Sequence, residues 1–222
     1  MLRSSIKNSI VFLLSLIISL ALAEVALVVK HMDMKNYDIE MWKYSNRLKQ
    51  LSSHENIGHV HKSDAEAVLQ SVKIRTNQYG LRGGPVSTKQ DVKRYLILGS
   101  SITLGWGVPE EETLSNLLSE KLGSTVEVLN AGVGNYNTVR YVNNFLQNLK
   151  YLNPEKIIIQ YFVNDAENLQ SNTGNFLLRN SQLAVSIWSF TQKIKATLYP
   201  LTLEEHYRNV YKTDSIGFLE MR

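Results

Sequence analysis

Two adjacent serines, Ser100 and Ser101, stand where a short apolar run meets a glycine-spaced turn, in the sequence RYLILGSSITLGWG of residues 94–107. α/β enzymes present a nucleophile in this way. A tight turn at the carboxyl end of a strand lifts a side-chain oxygen out of the core, next to free backbone N–H donors. The pattern therefore makes the hydroxyl of Ser101 a candidate nucleophile.

Polar residues also follow the next two apolar runs of the chain. Residues 130–137, NAGVGNYN, come after one run, and Asn164 and Asp165 come after the other. Acyl transfer through a serine needs two or three hydrogen-bond donors around the oxyanion that develops. The N–H of Ser101, a backbone N–H of the 130–137 loop and the amide of Asn164 would supply these donors.

Each of these groups also has a purely structural interpretation. The two serines can cap a helix, and the glycines of the 130–137 loop can serve turn geometry alone. Asn164 and Asp165 can close a strand as an Asx turn. Only their shared position, after three consecutive apolar runs, favours the functional interpretation.

The surrounding pattern predicts the elements that position these residues. Three apolar runs, each typical of a strand buried on both faces, predict strands at 95–98, 126–129 and 157–163. Helices are expected at 110–122 and 138–152, the second capped by Thr138. The first helix carries one apolar stripe: Leu114, Leu117, Leu118 and Leu122. This alternation predicts an α/β fold with a parallel sheet, whose strand ends bring the three polar groups together.

On these residues the chain resembles the SGNH/GDSL hydrolase family. Residues 99–105, GSSITLG, are similar to the GDSxTxG-type first block and place the family nucleophile on Ser101. Residues 130–138 resemble the second block, with Gly134 and Asn135 near its oxyanion-hole donor. Residues 162–165, FVND, resemble the GxND block and place the oxyanion-hole asparagine on Asn164. The preceding NQYGLRG, residues 77–83, resembles the lead-in of membrane-anchored members.

The resemblance implies a flavodoxin-like three-layer α/β/α fold and a serine ester hydrolase or acyltransferase. It implies chemistry without a metal, and we expect no cofactor. The substrate expected on this basis is an acyl-ester small molecule or an envelope polysaccharide.

The chain departs from the family pattern at several positions. Ser100 replaces the aspartate of GDS, and Phe162 replaces the first glycine of GxND. The Asp-x-x-His that the family places near its carboxyl end has no counterpart, because His206 follows Leu203 by three residues. With Ser100 and Asp165, His206 completes the set of candidate site residues. The alternative function is therefore a catalytically impaired remnant or accessory binding protein of an incomplete SGNH-type fold.

The amino terminus predicts a membrane segment. Residues 9–29 are apolar apart from three serines and Glu24, and they follow Arg3 and Lys7. A helix of this length spans the roughly 30 Å hydrocarbon core, and the leading positive charge favours a cytoplasmic amino terminus. Cleavage after Ala23, in Ala-Leu-Ala, is the alternative. We expect a cytoplasmic terminus at 1–8, the membrane helix at 9–29, a stalk and lead-in at 30–71, and an extracytoplasmic α/β domain at 72–222.

Composition narrows the function classes further. The absence of cysteine excludes disulfides, thiol catalysis and thiolate zinc sites. The net charge of +4 is not concentrated in a run of lysine and arginine, so we expect no nucleic-acid partner. His59 and His61 form an HxH pair that would share one face of a strand. We favour a structural role for the pair over a metal site, because the sequence offers no evident third ligand.

Overall fold

A computed structural model describes residues 2–33, 36–89, 91–166, 175–202 and 205. Two compact units are present. Described residues up to Trp42, with residues 175–200, form the helical unit, and residues from Lys43 to Ala166 form the sheet unit.

The helices and strands follow one another in a simple order. The helices are α1 (Leu2–Asp33), α2 (Tyr37–Leu48), α3 (Ser101–Leu104), α4 (Leu114–Leu122), α5 (Thr138–Asn144), α6 (Phe176–Asn180) and α7 (Gln182–Leu198). The strands are β1 (Lys49–Leu51), β2 (His59–His61), β3 (Glu66–Leu69), β4 (Val72–Arg75), β5 (Lys93–Gly99), β6 (Val126–Gly132) and β7 (Lys156–Gln160). A π-helical turn (Phe145–Leu149) and a 3₁₀ turn (Lys150–Leu152) extend α5, so the predicted helix at 138–152 is present with irregular winding.

The three strands that follow the lead-in form a parallel sheet in the order β6-β5-β7. Gly99 at the end of β5 pairs with Gly132 of β6 on one side and Gln160 of β7 on the other. The predicted α/β class and parallel sheet are therefore confirmed. The carboxyl ends of the three strands meet at one edge, because parallel neighbours end on the same side.

One face of this sheet carries the hydrophobic core of the unit. Leu96 and Leu98 of β5 pack with Leu129 and Ala131 of β6, and the helical segment after β6 covers them. Val133, Tyr141 and Leu149 belong to the same cluster.

Helix α4 does not bury its leucine stripe, contrary to the expectation for an apolar stripe on a helix. Leu114, Leu117 and Leu122 are exposed, whereas Ser115 is buried. The cause is polar contact with β6, because the Ser119 hydroxyl accepts the Val128 N–H at 2.9 Å. The Ser115 hydroxyl also meets the Asn130 amide at 3.2 Å.

The prediction that β7 is buried on both faces is wrong. Ile157 and Ile159, which share one face of β7, are 44% and 53% exposed, so that face is left uncovered. The strand also ends at Gln160 rather than at Val163, and the residues Val163–Ala166 form a 3₁₀ turn.

The residues expected as a stalk and lead-in contain regular structure. Strands β1 and β2 form one antiparallel hairpin, and β3 and β4 form another. Ile57, between β1 and β2, and Leu81, after β4, belong to the core of the sheet unit. The part of the expected stalk from Lys43 onward therefore belongs to the sheet unit and contributes Ile57 to its core.

The helical unit contains the long apolar helix α1. Its stretch Ile6–Met32 covers 27 residues and is long and apolar enough to cross a membrane. The same unit holds α6, α7 and the first turns of α2.

Candidate active site

Ser101 lies at the point where β5 passes directly into the short helix α3. Ser100 separates Gly99 from the helix and is its N-cap residue, but its side chain makes no capping hydrogen bond. The Ser101 side chain is half-buried, and its hydroxyl has no hydrogen-bond partner within the described part of the chain. A strand-turn-helix junction thus carries the candidate nucleophile.

Neighbouring strands hold α3 in place. The Asn130 side chain of β6 donates to the Thr103 carbonyl at 2.8 Å and accepts the Gly132 N–H at 3.0 Å. On the other side, the Thr103 hydroxyl donates to the Gln160 side chain of β7 at 2.9 Å. Contacts with both flanking strands therefore fix the turn that contains Ser101.

Arg82, which was not among the predicted site residues, binds the far end of the same turn. Its buried guanidinium donates to the carbonyls of Leu104, Gly105 and Val108. Its backbone N–H also donates to the Asn130 carbonyl at 3.0 Å. Arg82 belongs to the NQYGLRG lead-in, so that motif was the available signal.

On the 130–137 loop, Gly134 has both backbone polar groups engaged. Its N–H donates to the Tyr44 hydroxyl at 2.8 Å. Its carbonyl accepts from Lys49 Nζ at 2.7 Å and from His59 Nε2 at 3.2 Å. Gly134 is therefore a structural anchor of the loop, and its N–H is not free to stabilise an oxyanion.

The HxH pair belongs to this anchor. His61 Nδ1 lies 3.0 Å from the Gly80 carbonyl, which can only accept, so that nitrogen carries the proton. Its Nε2 then accepts from the Tyr44 hydroxyl at 2.7 Å. Burial, followed by the charge of Lys49, lowers the pKa of His59 to about 3 and that of His61 to about 4. Both imidazoles are neutral at neutral pH. The Gly134 N–H donates to Tyr44, the Tyr44 hydroxyl donates to His61, and His61 donates to the Gly80 carbonyl.

Lys49 is the charged member of the cluster. Its ammonium lies 4.4 Å from the centre of the Tyr44 ring. Burial, with a smaller contribution from the charge of Arg140, lowers the pKa of Lys49 to about 7. Tyr44 also contacts Trp106 edge to face, at 5.2 Å between ring centres, and so links the loop to the turn after Ser101. Nothing in the local sequence around Tyr44 and Lys49 indicated these roles.

Asn135 takes the unusual backbone conformation of the loop. Its φ is +64°, in the left-handed region that asparagine adopts more readily than most residues. The Arg140 guanidinium holds the Asn135 carbonyl at 3.0 Å, while the Asn135 side chain is exposed. The Asn135 N–H has no partner among the described residues, so it is available as a backbone donor of the loop.

The loop ends at a helix cap that differs from the prediction. The N-cap of α5 is Asn137, whose side chain accepts the Arg140 N–H at 3.0 Å. Thr138 is the first helical residue, and its hydroxyl pairs with the Tyr141 hydroxyl at 3.0 Å.

Asn164 and Asp165 occupy the 3₁₀ turn that follows β7, at the same edge of the sheet. Asp165 is buried, and its Oδ2 accepts the Phe162 N–H at 3.1 Å while its own N–H donates back to the Phe162 carbonyl at 2.8 Å. Burial raises the pKa of Asp165, and hydrogen bonds from Phe162 and the Ser100 side chain oppose that shift. Asp165 therefore closes the turn that carries Asn164 and also meets the residue before the nucleophile.

No base contacts Ser101 within the described residues. His59 and His61 are engaged in the Gly134 anchor, and His206 lies outside the described residues. No cluster of three potential metal ligands occurs in the described part of the chain either.

A cavity of about 550 Å³ opens beside the end of β6. Ala131 and Val133 form part of its wall, directly before Gly134. Its remaining described lining is uncharged at neutral pH and rich in amides and hydroxyls, including Gln50, Asn144, Gln147 and Asn148. Tyr79 and Tyr151 also line it, with ring centres 5.7 Å apart. Such a lining suits an uncharged polar ligand.

A comparison of the chain with protein-family models found no match. A comparison with curated proteins also found none.

Proposed function

We propose that this protein is a membrane-anchored serine ester hydrolase or acyltransferase of the SGNH type. Ser101 is the nucleophile in this proposal. The N–H of Asn135 and the Asn164 amide stabilise the oxyanion. The observation that supports the proposal best is that these three residues follow the carboxyl ends of three adjacent parallel strands, which end on the same side of the sheet.

The proposed site differs from the family pattern in its loop donor. Gly134 N–H is bound to Tyr44, so the donor is the next N–H along the chain, that of Asn135. The substrate in this proposal is an acyl-ester small molecule or an envelope polysaccharide, as the resemblance of residues 99–105, 130–138 and 162–165 implies. Arg3 and Lys7 support a cytoplasmic amino terminus and an extracytoplasmic catalytic domain.

Labelling with a fluorophosphonate probe tests this function, because such probes react with activated serines. The full chain in detergent micelles should become labelled. Ser101→Ala should abolish the labelling, and the matched variant Ser100→Ala should retain most of it. Absence of labelling in a folded sample, or persistence of labelling in Ser101→Ala, contradicts the proposal.

One observation favours a second function. The Ser101 hydroxyl has no hydrogen-bond acceptor within the described residues, and losing the base of a triad lowers rates by several orders of magnitude. The alternative is therefore a non-catalytic protein that binds an uncharged glycan or a partner at the same edge of the sheet. Glycan binding without probe labelling would support it.

A further inference from the structure

Helix α7 presents its apolar side outward. Its exposed stripe recurs every three or four residues and consists of Ile187, Phe190, Ile194 and Leu198, whose exposures are 55%, 63%, 42% and 66%. The side that packs inward carries Gln182, Val185 and Ser189, which are at most 8% exposed. A helix on a water-soluble surface has the opposite arrangement, with its apolar stripe toward the core. This inverted polarity requires an apolar surrounding for the stripe.

The beginning of α7 is attached to the apolar helix α1. Glu24, the one acidic residue of the sequence between Ile6 and Met32, accepts from the Ser181 hydroxyl at 2.7 Å. It also accepts from the N–H groups of Gln182 and Leu183 at 2.7 and 2.9 Å. His31 adds a contact with the Gln182 side chain at 2.9 Å. A carboxylate within a membrane helix is costly unless partnered, and the free N–H groups of the first turn of α7 supply that partner.

We infer that the apolar stripe of α7 lies against the bilayer that receives α1, with Ile187 and Phe190 covered by lipid acyl chains and Ile194 and Leu198 at the headgroup boundary. Glu24 lies within the stretch of α1 that can cross a membrane, eight residues before Met32. That separation places the first turn of α7 roughly 12 Å along α1 from the polar end of the stretch. The stripe therefore begins beside apolar α1 residues.

The other end of α7 fits the membrane interface. Lys193 Nζ lies 3.8 Å from the carboxylate of Asp38, which follows α1 on its polar side. Long lysine side chains reach from an apolar layer toward headgroups, and tryptophan, here Trp188 with 49% exposure, favours the interface. The inference rests on α1 entering a bilayer and is independent of the chemistry of Ser101.

The absence of cysteine from the sequence allows single-site labelling. Ile187→Cys, Phe190→Cys and Ile194→Cys place an environment-sensitive NBD label on the stripe. Gln192→Cys, also at an exposed position of α7 but off the stripe, is the matched control. The full-length variants are reconstituted into phosphatidylcholine vesicles with and without lipids that carry a doxyl group on the acyl chain.

Labels at positions 187 and 190 should emit at shorter wavelength and lose fluorescence to doxyl lipids, and the label at position 194 should do so less strongly. Aqueous iodide should quench the control label most strongly. Equal iodide quenching at stripe and control positions would overturn the inference, because water would then reach the stripe. Protection from both quenchers would also overturn it, since a protein surface would then cover the stripe. Circular dichroism checks that each labelled variant keeps its helix content. The use of three positions ensures that the result does not depend on one misfolded variant.

Discussion

At the scale of single residues, the loop after β6 depends on side chains that are distant in sequence. Tyr44, Lys49 and His59 occupy both polar groups of Gly134, whereas the Asn135 N–H has no partner among the described residues. The positive φ of Asn135 is compatible with asparagine. The family-like role of the loop donor is therefore assigned to a residue that is not glycine.

Lys49 makes the stability of the sheet unit depend on pH. Its pKa is about 7 in the folded protein and 10.5 when unperturbed, so between these values the unfolded chain holds the extra proton. The free energy of unfolding should therefore rise with pH across that window, by about 3 kcal/mol between pH 7 and 9.5. Lys49→Met should remove this rise, while His59 still donates to the Gly134 carbonyl. Urea unfolding of both proteins in detergent at several pH values measures the difference.

The exposed lysine Lys89 provides the control for that experiment. Lys89→Met should give a curve of stability against pH that runs parallel to that of the unmodified chain. An unchanged slope in Lys49→Met would show that Lys49 stays protonated in the folded protein up to its ordinary pKa.

At the scale of elements, two glycines allow α3 to lie directly on the ends of the strands. A Cβ on Gly132 would be 2.1 Å from the Leu104 nitrogen and 2.6 Å from the Thr103 carbonyl carbon. A Cβ on Gly99 would be 2.0 Å from the Thr103 hydroxyl oxygen. These glycines serve close packing, which holds Ser101 at the strand ends.

Gly132→Ala should force α3 away from β6 and destabilise the sheet unit by about 3 kcal/mol, as overpacking of a core does. The midpoint of thermal unfolding should fall by about 6–12 °C. If Ser101 is the activated serine, probe labelling should also decline at temperatures where the variant is folded. Circular dichroism and the labelling assay give the two readouts.

Gly84→Ala is the matched control for Gly132→Ala. Its added methyl would meet only the flexible guanidinium of Arg75, at 3.4 Å. Its midpoint should stay close to that of the unmodified chain. A Gly132→Ala variant as stable as Gly84→Ala would refute the close-packing argument.

At the scale of the whole molecule, the chain joins a helical unit with an apolar 27-residue stretch to a sheet unit that holds the candidate site. We expect alkaline carbonate extraction to leave the chain in the membrane pellet. Its intact mass should still include residues 1–23. Ile17→Arg should reduce the pelleted fraction, because an arginine at the centre of a membrane helix costs about 3 kcal/mol.

Ile17→Leu should behave like the unmodified chain and is the control for the charge. A mature mass that begins at Glu24, together with release into the soluble fraction, would instead establish the cleaved form.

The sequence by itself determined the alternation of strands and helices and the meeting of Ser101, the 130–137 loop and Asn164 at one sheet edge. These features depend on local signals, namely apolar runs, glycines and prolines, and on the rule that parallel strands end on the same side. An apolar run does not show whether other elements cover both faces of its strand, so the exposure of Ile157 and Ile159 was not foreseen.

Only the tertiary structure decided which donors around Ser101 are free. The contacts that occupy Gly134 come from Tyr44 and His59, 90 and 75 residues earlier in the chain. Arg82 binds the Gly105 carbonyl 23 residues later. The tertiary structure also decided that α7 turns its apolar stripe outward, because the same helical periodicity fits either orientation. Both the availability of the donors and the orientation of α7 depend on which distant residues pack against them. A local sequence pattern does not identify those residues.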